Sequence, residues 1–150
     1  MNSVKQLLYD KCKDFVTEKR NRIEVLIKEI HQSMTSESKS TAGDKHETGR
    51  AMLQLEREKA GNQLKEIEIL ETTLKKINPE NSNERVALGS YVVTDGGKFY
   101  ISISAGVLKI KKAEVYAISL QSPIGKLLSG KKSGDTYSFN NKIFKIKEVS

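Results

Sequence analysis

The stretch NPENSNER, residues 78–85, divides this 150-residue sequence into two parts with different periodicities. Its proline and asparagines interrupt a helix and are typical of a connecting segment. Before it, apolar residues recur every three or four positions, which predicts helices. After it, apolar and polar residues alternate, which predicts strands. The sequence therefore predicts an α+β protein with a helical part at 1–78, a linker at 79–85 and a sheet domain at 86–150.

The helical part contains two amphipathic segments, and these favour an antiparallel coiled-coil hairpin. In residues 3–33 the predicted apolar stripe, interrupted once by Lys19, is Val4, Leu8, Cys12, Phe15, Ile23, Leu26 and Ile30. In residues 44–77 the predicted heptad seam is Leu53, Ala60, Ile67 and Leu74, with Leu70 and Ile77 beside it. Between the segments, SMTSESKSTAG (33–43) has no period and many small polar residues. It is therefore predicted to be a loop, which places the tip of the hairpin at about 34–47.

Beyond residue 85, six short alternating segments predict a small antiparallel sheet. They are YVVT (91–94), KFYISIS (98–104), VLKIK (107–111), VYAIS (115–119), DTYSFN (135–140) and KIFKIKEV (142–149). Glycines and asparagines at 95–97, 105–106 and 140–141 predict the turns. SPIGKLLSG (122–130) predicts one short helix, because Ser122 suits its N-cap, Pro123 its first position and Gly130 the residue after its end.

The net charge of +7 is unevenly divided between the two parts. Residues 1–78 carry 15 Lys/Arg and 13 Asp/Glu, whereas residues 86–150 carry 10 lysines and 4 acids. A basic domain could contact nucleic acid, including nascent RNA, or an acidic protein surface, and charge alone does not separate these. No RNA-binding signature accompanies the lysines, so solvated strand faces are the alternative.

The composition also limits where the chain works. One cysteine, Cys12, excludes an intramolecular disulfide and fits a reducing cytosol, and its place on the apolar stripe predicts a buried, inert thiol. The N-terminus is amphipathic and contains acids, unlike a signal peptide, and no apolar run approaches the ~20 residues of a membrane span. A cytoplasmic protein without a membrane partner is expected.

Asp44 and Glu47, in TAGDKHETGRAM (41–52), are the candidate functional residues of the helical part. An Asp N-cap with Glu three residues later is a variant of the capping box, worth ~1 kcal/mol to a helix start. Alternatively, two carboxylates exposed at a tip could complete a Mg²⁺ site in a partner, since Mg²⁺ is typically held by one or two carboxylates. His31 and His46 flank the same loop, and surface histidines are expected rather than a metal cluster with Asp44.

At SPIGKLLSGKKSGD (122–135) the sequence resembles the SPI…L.GK..GD signature in the C-terminal domain of the bacterial Gre-type transcript cleavage factors. The matching residues, with Ile118 and Ser119 upstream, are Ser122, Pro123, Ile124, Leu128, Gly130, Lys131, Gly134 and Asp135. The GD..E motif that begins the second coiled-coil helix in that family is matched by Gly43, Asp44 and Glu47. The resemblance spans nearly the whole chain.

This resemblance implies a coiled-coil finger that enters the secondary channel of RNA polymerase and an FKBP-like domain that docks at its entrance. Asp44 and Glu47 would act in trans, holding a Mg²⁺ jointly with the polymerase, so that its intrinsic cleavage of backtracked RNA is stimulated. Ser122, Pro123 and Ile124 would lie in the docking region. The chain would be an elongation factor with no cofactor of its own, and not an enzyme. DNA binding, as part of the transcription complex, is also implied.

The sequence departs from the family pattern around the acids. Lys45 and His46 stand between them, where the family has a hydrophobic residue first, and Thr48-Gly49-Arg50-Ala51 replaces Asn-Ala-Glu-Tyr. These departures leave open a non-cleaving regulator or competitor at the same channel. A remote alternative of another class is an FKBP-like peptidyl-prolyl isomerase or chaperone, which needs an aromatic-lined apolar pocket.

Overall fold

The computed structural model describes the backbone of residues 3–38 and 43–150, and the side chains of these residues except those of 37, 38 and 43–47. The helices are α1 (Val4–Ser38), α2 (Gly43–Lys75) and α3 (Pro123–Leu128). The strands are β1 (Tyr91–Thr94), β2 (Gly97–Ile101), β3 (Gly106–Ile110), β4 (Ala113–Ile118), β5 (Thr136–Phe139) and β6 (Lys142–Val149). The predicted α+β class, with a helical hairpin before a six-stranded sheet, is confirmed.

The loop predicted at 33–43 is wrong over its first six residues, because α1 continues to Ser38. Small polar side chains can be accommodated in a helix by bonding back to its own carbonyls, and the Thr35 hydroxyl donates to the His31 carbonyl at 3.0 Å. Residues 39–42 of the predicted loop lie outside the described residues. Helix α2 begins at Gly43, so Asp44 lies inside the helix and not at the predicted N-cap.

The heptad seam of α2 is confirmed, and so are Ile23 and Ile30 of the predicted α1 stripe, whereas Leu26 of that stripe faces outward. Ala60, Ile67 and Leu74 are at most 4% exposed, and Leu53 is half-buried. In α1, Leu26 is 38% exposed whereas Ile27 is half-buried. From Val16 onward, the buried and half-buried residues among the described side chains of α1 are Val16, Lys19, Arg20, Ile23, Ile27, Ile30 and Met34.

The chain forms two compact units whose boundaries fall inside the two long helices. One comprises Met1–Phe15 with Thr72–Ser150, and the other comprises Val16–Glu71. In the first unit the Tyr9 hydroxyl donates to the Leu74 carbonyl at 3.2 Å, which joins the beginning of α1 to the end of α2. Neither long helix has an apolar stretch of the kind that spans a bilayer, in the part of the chain that the structure describes.

The sheet has the strand order β3-β4-β2-β1-β6-β5, so β3 and β5 lie at its two edges. All neighbouring pairs are antiparallel except β2 and β4, which are parallel, whereas the sequence predicted an antiparallel sheet throughout. The β3–β4 hairpin produces this exception, because β4 and not β3 pairs with β2. The predicted turn at Asn140 and Asn141 is confirmed, with φ of 53° and 64°, values that a two-residue type I′ turn requires.

The sheet is buried on both of its faces in the middle. On one face, Phe99 and Ile101 join the core that includes Leu128 of α3 and Ile146 of β6. On the other face, Ser102 contacts α1, with 3.4 Å between its Oγ and the Cys12 sulfur. Tyr100 lies on this second face and is fully buried. Helix α3 and the beginning of α1 therefore cover opposite faces of one sheet.

Candidate functional site

The predicted acidic pair lies at the beginning of α2. Asp44 and Glu47 both fall within the first five residues of that helix, directly after the segment that follows α1. The N-terminal end of a helix carries unpaired backbone N–H groups and a partial positive charge, which favours acidic residues there. Their side chains, and those of Lys45 and His46, lie outside the described residues, so the metal-binding geometry predicted for the pair stays a prediction.

Farther along the hairpin, Arg20 of α1 and Glu71 of α2 form a two-pronged ion pair. The Arg20 Nη2 and Nε atoms lie 2.6 and 2.9 Å from the two carboxylate oxygens of Glu71. Arg20 also contacts Glu24 at 3.0 Å, and these two acids raise the pKa of the guanidinium above its usual value. Since Arg20 occupies an inward position of the stripe, the pair replaces one apolar layer of the hairpin. The sequence does not predict this pair; Lys19, the predicted interruption of the stripe, is half-buried and directly precedes Arg20.

The predicted capped helix is confirmed as α3. The Ser122 hydroxyl accepts from the Gly125 N–H at 3.1 Å and donates to the Ser119 carbonyl at 2.7 Å. Pro123 follows the cap in the first turn, where a missing N–H costs nothing. Gly130 comes after the C-cap with a φ of 79°, a left-handed conformation. The Ser122 hydroxyl therefore donates and accepts one hydrogen bond inside the protein.

Other residues between Ser122 and Asp135 also have structural roles. Gly125 is not one of the matched residues, but no side chain fits there, because a Cβ would lie 2.1 Å from the Ser119 carbonyl oxygen. Gly134 has a φ of 94°. The Asp135 carboxylate accepts from the Lys132 N–H at 2.9 Å and closes the turn before β5. These contacts give the motif a structural role, because its residues shape α3 and the turn that follows it.

Of the three predicted docking residues, Pro123 presents the most open surface. Ile124 is half-buried and packs against the core beneath α3, and Ser122 is half-buried as the cap. Pro123 is exposed, as are Gln121 before it and Leu127 one turn later. The structure thus brings the three predicted residues together at one end of α3, with only the proline facing outward.

The remaining candidates behave as ordinary structural residues. Burial raises the pKa of the Cys12 thiol, and the Ser102 hydroxyl oxygen lies 3.4 Å from its sulfur. The predicted burial of this thiol is confirmed. His31 is exposed on α1. No group of three or more metal-ligating side chains occurs among residues whose side chains are described. The side chain of His46 lies outside that set.

Lys5 is a buried cation that sequence reasoning missed. It is 6% exposed, and its ammonium donates to the backbone carbonyl of Asn81 in the linker. Burial lowers the pKa of this amine. The sequence does not predict that a lysine in the first turn of an amphipathic helix is buried. Its burial here comes from a tertiary contact with the linker, which is distant in sequence.

Three aromatic residues of the sheet are packed in its interior. Phe99, Tyr100 and Tyr137 are each at most 5% exposed. Phe99 contacts Tyr116 with 6.0 Å between ring centroids, and Tyr137 contacts Phe144 at 5.3 Å. A prolyl isomerase needs accessible aromatic rings around its substrate, and the rings of Phe99, Tyr100 and Tyr137 are not accessible.

Comparison with known proteins gives little beyond these observations. No protein-family model and no curated protein matches the chain. A solved structure of the transcription factor Gfh1 is similar over 94% of this chain and 92% of its own, with 20% sequence identity and a TM-score of 0.32. At this TM-score the likeness carries no functional argument.

Proposed function

We propose that this protein is an RNA polymerase secondary-channel factor that stimulates the polymerase's cleavage of backtracked RNA through Asp44 and Glu47. The observation that carries the proposal is the position of both acids at the beginning of α2, immediately after the segment joining two helices of 35 and 33 residues. The motif resemblance at 43–47 and at 122–135 supports the same assignment.

In this role the two acids contribute oxygen ligands to a Mg²⁺ site, and the polymerase contributes the rest of that site. Carboxylate oxygens are the protein ligands that Mg²⁺ prefers, and two of them leave most of its coordination positions to other groups. A second metal ion at such a site stabilises the attacking and leaving oxygens during phosphodiester cleavage. The protein is then a cofactor of the polymerase and not an enzyme.

A second candidate is a regulator that occupies the same channel without stimulating cleavage. The observation that favours it is the replacement of the family's acid by Arg50, one turn after Glu47, together with Lys45 between the two acids. Positive charge beside the carboxylates weakens their attraction for a cation. The acids would then serve the start of α2 alone, through the helix dipole.

Cleavage and binding assays with one set of variants separate the two candidates. Stalled, backtracked complexes receive the intact protein, Asp44→Asn/Glu47→Gln, or the matched control Glu56→Gln/Glu58→Gln, which alters two exposed acids of the same helix. If the protein stimulates cleavage, the intact protein and the control variant both shorten the RNA. Asp44→Asn/Glu47→Gln then still binds polymerase, but its rate of RNA shortening is at least about tenfold lower. If all three proteins bind polymerase and none shortens the RNA, the protein is the non-cleaving regulator. Absence of binding by the intact protein overturns both.

A further inference from the structure

The outer edge of β5 borders a groove that none of the roles above uses. The groove has a volume of about 460 Å³ and lies between α3 with the segment after it on one side and β5 with the start of β6 on the other. We call it the β5 groove and define it by Lys126, Leu127, Lys131, Ser138 and Ile143. Because β5 is the last strand of the sheet, one side of its backbone has no neighbouring strand.

The register of β5 shows which of its backbone groups face outward. Phe139 pairs with Lys142 across the two-residue turn, and Tyr137 pairs with Phe144. The Ile146 N–H donates to the Asp135 carbonyl at 2.8 Å and continues the same alternation. Since hydrogen bonding alternates along an antiparallel strand, the N–H and C=O groups of Thr136 and Ser138 point away from β6. An edge of this kind is a template for another strand.

Two apolar side chains line the groove and do not pack in the hydrophobic core. Ile143 is 75% exposed and Leu127 is 36% exposed. Ile143 lies directly opposite Ser138 in the register of β5 and β6. Apolar surface beside an open strand edge gives an added strand contacts for its side chains as well as its backbone.

The charge around the groove has one sign. Residues 122–147 contain six lysines and one acid, Asp135. The Asp135 carboxylate already accepts from the Lys132 N–H. Lys126 and Lys131 line the groove itself. A segment that enters it meets two ammonium groups, so an acidic segment is favoured and a basic one is repelled.

We propose that the β5 groove binds an extended, acidic segment of a protein partner, which pairs with the outer side of β5 as a seventh strand. The backbone of Ser138 provides the pairing groups, Leu127 and Ile143 the apolar contacts, and Lys126 and Lys131 the charge preference. The groove includes neither Asp44 nor Glu47 among its residues, and the proposal stands whether or not RNA cleavage is stimulated.

Nucleic acid fits this surface less well than a peptide. Single strands are held by stacking of bases on exposed aromatic rings along a basic groove. The aromatic residue that lines this groove, Tyr137, is 5% exposed and packs against Phe144. The open backbone groups and the aliphatic Leu127 and Ile143 match a polypeptide strand instead.

The test titrates the full chain with a short capped peptide that alternates glutamate and valine, followed by NMR of the backbone amides. Two comparison ligands accompany it: the same peptide N-methylated on alternate residues, and a short oligouridylate. N-methylation removes the donors for strand pairing and retains charge and side chains. The variant Lys126→Glu/Lys131→Glu is matched with Lys109→Glu/Lys112→Glu at the opposite end of the sheet. Lys126, Lys109 and Lys112 are exposed, and Lys131 is half-buried.

We expect the unmodified peptide to shift the amides of Thr136 and Ser138 and to slow their hydrogen exchange. N-methylation and Lys126→Glu/Lys131→Glu should each weaken binding by at least about fivefold, the fold-change that one lost hydrogen bond produces, and the control variant should bind normally. Equal binding by the N-methylated peptide, the same shifts with oligouridylate, equal loss in the control variant, or no shift at millimolar peptide would each overturn the proposal.

Discussion

Arg20 of α1 holds the carboxylate of Glu71 in α2 by two parallel hydrogen bonds of 2.6 and 2.9 Å, at a position where the stripe of α1 would otherwise place an apolar side chain. A planar guanidinium that meets a carboxylate in this way fixes orientation as well as distance. Both side chains are about 30% exposed, so water screens part of the attraction. The pair therefore contributes more to the register of the two helices than to their stability.

Reversing one charge of this pair should loosen the hairpin, and reversing both should restore it. Glu71→Arg places two cations face to face and is expected to lower the thermal unfolding midpoint, read from helical circular dichroism. Arg20→Glu/Glu71→Arg should recover most of the loss, because the attraction is re-formed. The control Glu66→Arg changes an exposed acid of the same helix and should have a smaller effect. Equal midpoints for single and double reversals would contradict the role of the pair.

Gly61 weakens the middle of α2 without an evident structural need. A Cβ at this position would have no heavy atom within 4 Å. Gly61→Ala should therefore raise the free energy of unfolding by about 1 kcal/mol, the difference in helix propensity. Urea unfolding measures the change. A lower free energy would mean that the backbone at residue 61 is not helical in solution.

Ser122 and Pro123 are adjacent, and we expect their substitutions to have different consequences. Ser122→Ala removes the cap of α3 and should lower the free energy of unfolding by about 1 kcal/mol. Pro123→Ala changes an exposed residue and should stay within about 0.5 kcal/mol of the parent protein. If the docking role implied by the motif is right, Pro123→Ala should still weaken binding to RNA polymerase. If both variants lose stability and both still bind RNA polymerase normally, the docking role is contradicted.

The Tyr100 phenol is fully buried and, among the described side chains, its oxygen has no hydrogen-bond partner. An unsatisfied buried hydroxyl costs roughly 1–3 kcal/mol. Tyr100→Phe should therefore raise the free energy of unfolding by about 1 kcal/mol at neutral pH. The same change at an exposed site, Tyr116→Phe, serves as the control and should alter it by less than about 0.5 kcal/mol. Destabilisation by Tyr100→Phe would show that the hydroxyl has a partner, such as a bound water.

Burial also makes stability depend on alkaline pH. It raises the pKa of Tyr100 and of Cys12 in the folded protein. Once the pH exceeds the ordinary values of about 8.5 for a thiol and 10 for a phenol, the unfolded chain loses protons that the folded chain keeps. The unfolded state then binds fewer protons, so stability falls as pH rises. Tyr100→Phe should reduce the decline above pH 10, and an unchanged decline would contradict this assignment.

The sequence predicts those features that depend on local chemistry. Residue type and spacing are enough to predict three features that the structure contains. These are the cap at Ser122, the left-handed turn at Asn140 and Asn141, and the heptad seam through Ala60 and Ile67. The predicted end of α1 is too early, because small polar residues such as Thr35 can also bond within a helix.

Features that depend on contacts between distant segments could not be predicted from one sequence. The parallel pairing of β2 with β4 follows from the path of the β3–β4 hairpin, which periodicity does not encode. The burial of Lys5 depends on the linker, and the pairing of Arg20 with Glu71 depends on the exact phase of two helices. The β5 groove also appears only when α3 and Ile143 are brought together in the fold.

The central claim is that Asp44 and Glu47 supply carboxylates to a Mg²⁺ shared with RNA polymerase. Its most direct test is the initial rate of RNA shortening in backtracked complexes as a function of magnesium concentration. The intact protein should lower the magnesium concentration needed for half-maximal rate, whereas Asp44→Asn/Glu47→Gln, with equal affinity for polymerase, should not. If that variant shortens RNA as fast as the intact protein, with the same magnesium dependence, the claim is wrong.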